Sequence, residues 1–114
     1  MNREKFIRDT HAMLEAQGGF AIRGTTCFYR DAEGKKCAIG LHIPEELYRM
    51  GMEGSGITSL FTSFPRVEEV FEKKYGVIST DDQYFLGVVQ RTMHDYPAQM
   101  GEKLSSLEDC LKLI

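Results

Sequence analysis

The densest set of chemically capable side chains lies between Cys27 and Gly40. There Cys27, Tyr29, Arg30, Lys35, Lys36 and Cys37 flank the turn Asp31-Ala32-Glu33-Gly34. Two thiols, a ring and three cations offer a metal half-site, a thiol nucleophile, or a platform for an anionic ligand. Zinc needs three or four thiolate or imidazole ligands converging tetrahedrally, for which Cys27, Cys37, His94 and His42 are the candidates. The ten-residue step from Cys27 to Cys37 matches no common zinc spacing, so small apolar thiols are expected there, with neither metal nor other cofactor. A nucleophile would need Cys37 together with a base and an orienting carboxylate, residue types that His94 and Asp95 supply. Neighbours on a helix point about 100° apart, so Asp95 is not expected to orient His94, and no catalytic residue is assigned.

Anion binding uses the same segment more fully. Arg30, Lys35 and Lys36 around a turn can hold phosphate or carboxylate oxygens, and Tyr29 offers a stacking face. Leu86, Gln90 and His94 follow at i, i+4 and i+8 on one helix, which places two polar reading groups on a mostly apolar face. The expected ligand-binding set is therefore Tyr29, Arg30, Lys36, Gln90 and His94. Phe61, Phe64 and Phe71 with Met50 and Met52 are expected in the core, the alternative being a surface for a protein partner.

The elements that must position these groups follow from periodicity and punctuation. Phe6, Ile7, Thr10, Met13 and Leu14 recur at helical spacing before Gly18-Gly19, predicting a helix over 2–17. Residues 25–29 and 36–39, rich in β-formers around the 31–34 turn, predict a hairpin, with 20–22 as a third strand. Ile43-Pro44-Glu45-Glu46 reads as the start of a short helix over 44–50. Glu53-Gly54-Ser55-Gly56 reads as a loop and 57–63 is ambiguous. Pro65 opens a helix carrying Val67, Val70, Phe71 and Tyr75 and ending at Gly76. Ser79 or Thr80, with Asp82 or Gln83 three residues on, forms a capping box for a helix over about 80–95. Pro97 ends that helix or begins another, and Met100, Leu104, Leu107 and Leu111 mark the last. The expectation is one α+β domain over 1–114, about five helices around a small antiparallel β-hairpin or three-stranded sheet.

Composition limits the function classes. The 114 residues carry 14 basic and 17 acidic side chains, a net charge of -3. Residues 1–36 hold seven bases against five acids and the remainder seven against twelve, so there is no broad basic face for duplex nucleic acid. No apolar run approaches the roughly 20 residues of a bilayer span, and the first residues show no secretory pattern. Three cysteines without a C-x-x-C pair fit a reducing compartment, so cytoplasmic residence is expected.

The residues around the turn resemble a set of small bacteriophage accessory proteins. The shared pattern is Cys27-x-Tyr29-Arg30, the turn glycine Gly34, Lys36-Cys37-Ala38-x-Gly40, and Ile43-Pro44-x-Glu46-x-Tyr48. It continues with Glu53-Gly54 and with Leu86, Gln90, His94 and Asp95, and covers about two thirds of the chain. The chain departs from it in lacking a tryptophan in the last helix and in having His42 where a small or apolar residue is usual. The resemblance implies a phage protein in the host cytoplasm that counters host defence. Combined with the clustered cations, it gives the expectation of a self-associating protein that sequesters a small anionic ligand such as a nucleotide-derived immune signal. A protein-binding inhibitor of a host factor is the alternative, followed by a small hydrolase using Cys37 and His94.

Overall fold

A computed structural model describes residues 1–114. Helix α1 (Arg3–Gln17) starts where the Asn2 side chain accepts from the Lys5 amide at 3.0 Å. It stops where Gly18 turns left-handed, a conformation glycine adopts without a Cβ penalty. Its inner face buries Phe6, Ile7, Thr10, His11 and Leu14. Two short strands follow, β1 (Ile22–Arg23) and β2 (Thr26–Cys27), paired antiparallel with Ile22 opposite Cys27.

The hairpin is thus one step earlier in the chain than its residue types predict. The strand expected over 25–29 pairs with 22–23, and between 25–29 and 36–39 only the single Arg30–Lys36 bridge forms. The apolar run 37–39 is fully buried and turns into a 3-10 segment at Gly40–His42. A run buried on all sides does not distinguish a strand from a core turn by periodicity.

The helix expected over 44–50 is also corrected. Leu47 and Tyr48 both donate to the Pro44 carbonyl, which makes a single turn, and the next regular element is a 3-10 segment at Met50–Met52. The ambiguous stretch forms α2 (Ile57–Ser63), and α3 (Pro65–Tyr75) begins at its proline and ends at Gly76 as expected. Helix α4 (Thr80–Val89) opens on the Ser79–Asp82 capping box. It continues through a π-helical segment (Gln90–Asp95) into α5 (Tyr96–Gln99), so the rod runs past Pro97 without a break. The last helix, α6 (Leu107–Leu111), is shorter than expected from Met100 onward.

Counting the rod 80–99 once, five helices surround a small antiparallel hairpin, an α+β arrangement. No helix is long and apolar enough to cross a membrane. One core of 21 buried residues joins α1, the 37–43 segment and α2 to α4, with Phe6, Ile39, Met52, Phe71 and Leu86 at its centre. Phe61, Phe71 and Met52 belong to it, whereas Met50 is 84% exposed.

The departure at His42 has a structural place inside this core. Its ring lies 4.7 Å from the Phe6 ring, with Thr10 Oγ1 2.8 Å from Nε2 and Tyr75 Oη 3.3 Å from Nδ1. Tyr75 donates its own hydroxyl hydrogen to Asp9 at 2.9 Å, so Nδ1–H donates to Tyr75 and Nε2 accepts from Thr10. Burial, and next the charge of Lys74, hold His42 down at about 3, so it stays neutral.

Candidate functional site

The segment carrying the clustered residues is pinned by side chains that reach into its backbone. Gln17 accepts from the Lys36 amide and donates to the Lys36 carbonyl, both at 2.8 Å. Glu53 accepts from the Tyr29 and Arg30 amides at 2.9 and 3.2 Å and from the Tyr48 hydroxyl at 2.6 Å. Gln90 accepts from the Ile39 amide at 2.9 Å, across the chain from the π-helical segment. These bonds replace the strand ladder that would otherwise satisfy buried backbone donors.

The pinned segment separates the five expected ligand-binding residues into two groups. Arg30 and Lys36 point to one side, where both pair with the Glu45 carboxylate, Lys36 at 3.1 Å. The Arg30 guanidinium also stacks 5.0 Å above the Tyr48 ring. Beside them is an open cleft of about 330 Å³ whose lining includes Lys36, Leu41, Ile43, Glu45, Val70 and Lys74. Glu45 is 61% exposed, so its carboxylate is a replaceable partner for the two cations.

Tyr29, Gln90 and His94 belong to the other group. The Tyr29 ring is buried and its hydroxyl donates to the Ser55 carbonyl, which leaves no free face for stacking. Tyr29 and Gln90 line a second cleft, of about 300 Å³, together with Cys27, Cys37, Glu53 and Asp95. This lining contains two carboxylates and two thiols but no basic side chain.

His94 is fully buried with both ring nitrogens engaged. Nε2 accepts from the Ala21 amide at 2.9 Å, so Nδ1 bears the hydrogen and donates to Asp95 Oδ1 at 2.8 Å. The expectation that Asp95 would not orient its neighbour is therefore overturned. The contact lies within the π segment, whose i→i+5 bonds widen the turn relative to an α-helix. That widening lets Gln90 donate to Asp95, five residues on, at 2.8 Å, a pair that an α-helix would hold about 140° apart. Pro97, which lacks an amide hydrogen, sits just beyond this segment.

These surroundings bear on the thiols. Burial, reinforced by the Asp95 charge, pushes Cys27 up to about 12. Burial likewise takes Cys37 to about 12 against a partial offset from the Gly40 amide, which donates to its sulfur at 3.3 Å. Both thiols are protonated near neutrality, and a His94 with no free ring nitrogen does not activate Cys37. Of the zinc set considered from spacing, His42 is engaged by Thr10 and Tyr75 in the core and Cys37 stands outside the cluster, while Cys27 and His94, with Asp95, each offer a ligand atom within 4.8 Å of the other two.

Glu45 and Lys74 line the first cleft, Glu53 the second, and Tyr48 lies under Arg30; none of the four belongs to the ligand-binding set expected from residue types. The available signal was the resemblance pattern, which already contains Tyr48 and the Glu53-Gly54 pair. The chain has no match among known protein families, curated proteins or solved structures.

Proposed function

We propose that the protein binds and sequesters a compact anionic ligand of the nucleotide class, as a bacteriophage accessory protein acting against a host signal. The observation that carries this reading is the convergence of Arg30 and Lys36 on the single carboxylate of Glu45. Two cations already arranged around one oxyanion are arranged for phosphate oxygens, and Arg presents a fork suited to them. Lys74 lines the cleft beside them, adding a third cation, and Tyr48 lies under the guanidinium.

Binding in this scheme exchanges the internal carboxylate for an external anion. The cleft is open, so a ligand there stays half solvated unless a second copy of the chain covers it. Dimerisation on ligand addition is the corresponding expectation. The Tyr29, Gln90 and His94 group supports this site indirectly, by fixing the segment from which Arg30 and Lys36 project.

The test is thermal stability against a panel of linear and cyclic nucleotides, pyrophosphate and NAD-derived compounds. A ligand at about a hundred times its dissociation constant adds roughly 2.7 kcal/mol, which is several degrees for a domain of this size. The shift should disappear in Arg30→Ala and Lys36→Ala, and the compound should be recovered intact after heating. A panel without any shift, together with retention of a host protein on the immobilised chain, would replace this reading with the inhibitor of a host factor. A compound recovered cleaved would point to the hydrolase.

A further inference from the structure

We propose that the second cleft binds a thiophilic divalent cation such as zinc, held by Cys27 Sγ and Asp95, completed by Cys37, with His94 as a positioning residue. The site is separate from the Arg30–Lys36 pair and does not depend on the anion reading.

The first observation is placement. Cys27 lies on β2 and Asp95 at the end of the π segment, yet Cys27 Sγ, an Asp95 carboxylate oxygen and a His94 ring nitrogen lie within 4.8 Å of one another. Cys37 lines the same cleft but stands outside this 4.8 Å group, so its sulfur completes the ligand set by a side-chain shift on binding. The second is charge. Glu53 and Asp95 face the cleft without a basic side chain in its lining, because Arg30 and Lys36 are turned to Glu45.

Preorganisation is the third. Asp95 Oδ1 accepts from both Gln90 and His94, which fixes the carboxylate and leaves Oδ2 for a ligand. Ligating carboxylates are commonly held by such outer hydrogen bonds. The Ala21 amide keeps the His94 hydrogen on Nδ1, so the imidazole holds Asp95 rather than joining the ligand set. At Cys37 the Gly40 amide already donates to sulfur, an N–H···S bond that also stabilises a thiolate.

Two sulfur ligands and one carboxylate select zinc over magnesium or calcium, which prefer oxygen alone. Binding would release the two thiol protons to solvent, and a water would fill the fourth position. The balance is one dication in and two thiol protons out, so the net charge of the cleft is unchanged.

The experiment is titration of the chelator-stripped full chain with zinc against a chromophoric chelator, paralleled by cobalt(II) absorption. One equivalent of zinc per chain and thiolate-to-cobalt charge-transfer bands are expected. Cys27→Ser and Asp95→Asn should each weaken binding at least about tenfold, and Cys37→Ser should reduce the charge-transfer intensity. His94→Gln should weaken binding by roughly ten- to a hundredfold while leaving the bands in place, as for an outer-shell partner. Cys110→Ser, a buried thiol on α6, should change nothing. Absence of zinc uptake, uptake indifferent to Cys27→Ser and Asp95→Asn, or cobalt bands without thiolate character would each overturn the proposal. The wild-type spectrum decides even where a variant fails to fold.

Discussion

Gly40 packs its backbone directly beneath the carbonyl of Tyr29, so a Cβ at position 40 would overlap the carbonyl oxygen and sit 2.7 Å from its carbon. This approach, and not a special dihedral angle, is what position 40 requires. It brings the 3-10 turn at 40–42 against the segment bearing Arg30, and it seats the amide of Gly40 on the Cys37 sulfur.

Gly40→Ala is therefore expected to cost about 3 kcal/mol or more, since the atom it meets is backbone and cannot rotate away. Gly51→Ala, where a Cβ meets open space, should be close to neutral. Chemical denaturation of the two variants, compared at constant slope, checks the contrast.

Removing the internal carboxylate should help the anion site. Glu45→Gln leaves an amide that cannot neutralise Arg30 and Lys36, so affinity for pyrophosphate or a nucleotide should rise severalfold. Stability should fall by less than about 1 kcal/mol, because exposed ion pairs contribute little. Titration calorimetry on the variant gives the answer, and unchanged or weaker anion binding would mean that the two cations serve only to hold Glu45.

The stop of α1, both ends of α3 and the start of α4 were legible because their signals are local: Gly18, Pro65 and Gly76, and Ser79 with Asp82 three residues on. The path of 28–40 was not. It is held by Gln17, Glu53 and Gln90, side chains 19 to 51 residues from the amides they serve, and no periodicity records such bonds. The cations Arg30 and Lys36 were visible by type, but their shared partner Glu45 looked like an ordinary helix-start acid. The Gln90–Asp95 bond was hidden because α-helical spacing separates residues five apart by about 140°, whereas the chain forms a π turn there.

Acid stability should follow His42. Its value falls from 6.5 to about 3 on folding, so the unfolded chain takes up a proton that the native core refuses. The native state is fully favoured above pH 6.5 and loses stability as pH falls through the window from 6.5 to 3, at up to about 1.4 kcal/mol per pH unit. A second loss belongs to Asp82. Burial alone would raise it, but the Ser79 amide, Arg3 and the terminal ammonium outweigh that and hold it at about 2. Its contribution is present above 3.8 and disappears as pH falls toward 2. Urea midpoints should decline already between pH 6.5 and 4.5, and His42→Gln, less stable at neutral pH, should show a flatter profile over that range.

Gln90 ties these threads together, because one side chain accepts from the Ile39 amide in the core and donates to Asp95 at the cleft. Gln90→Ala would leave a buried amide without an acceptor, a loss of roughly 1–3 kcal/mol, and should abolish hydrogen-exchange protection at Ile39. Gln90→Glu separates the two roles. The new carboxylate would still accept from Ile39, but it would face Asp95 as a like charge where a donor had been. Its destabilisation should be largest at neutral pH and should shrink on acidification, as protonation of either carboxyl restores a donor between them. A deficit relative to wild type that stays constant from pH 7 to 5 would show that Gln90 acts through Ile39 alone.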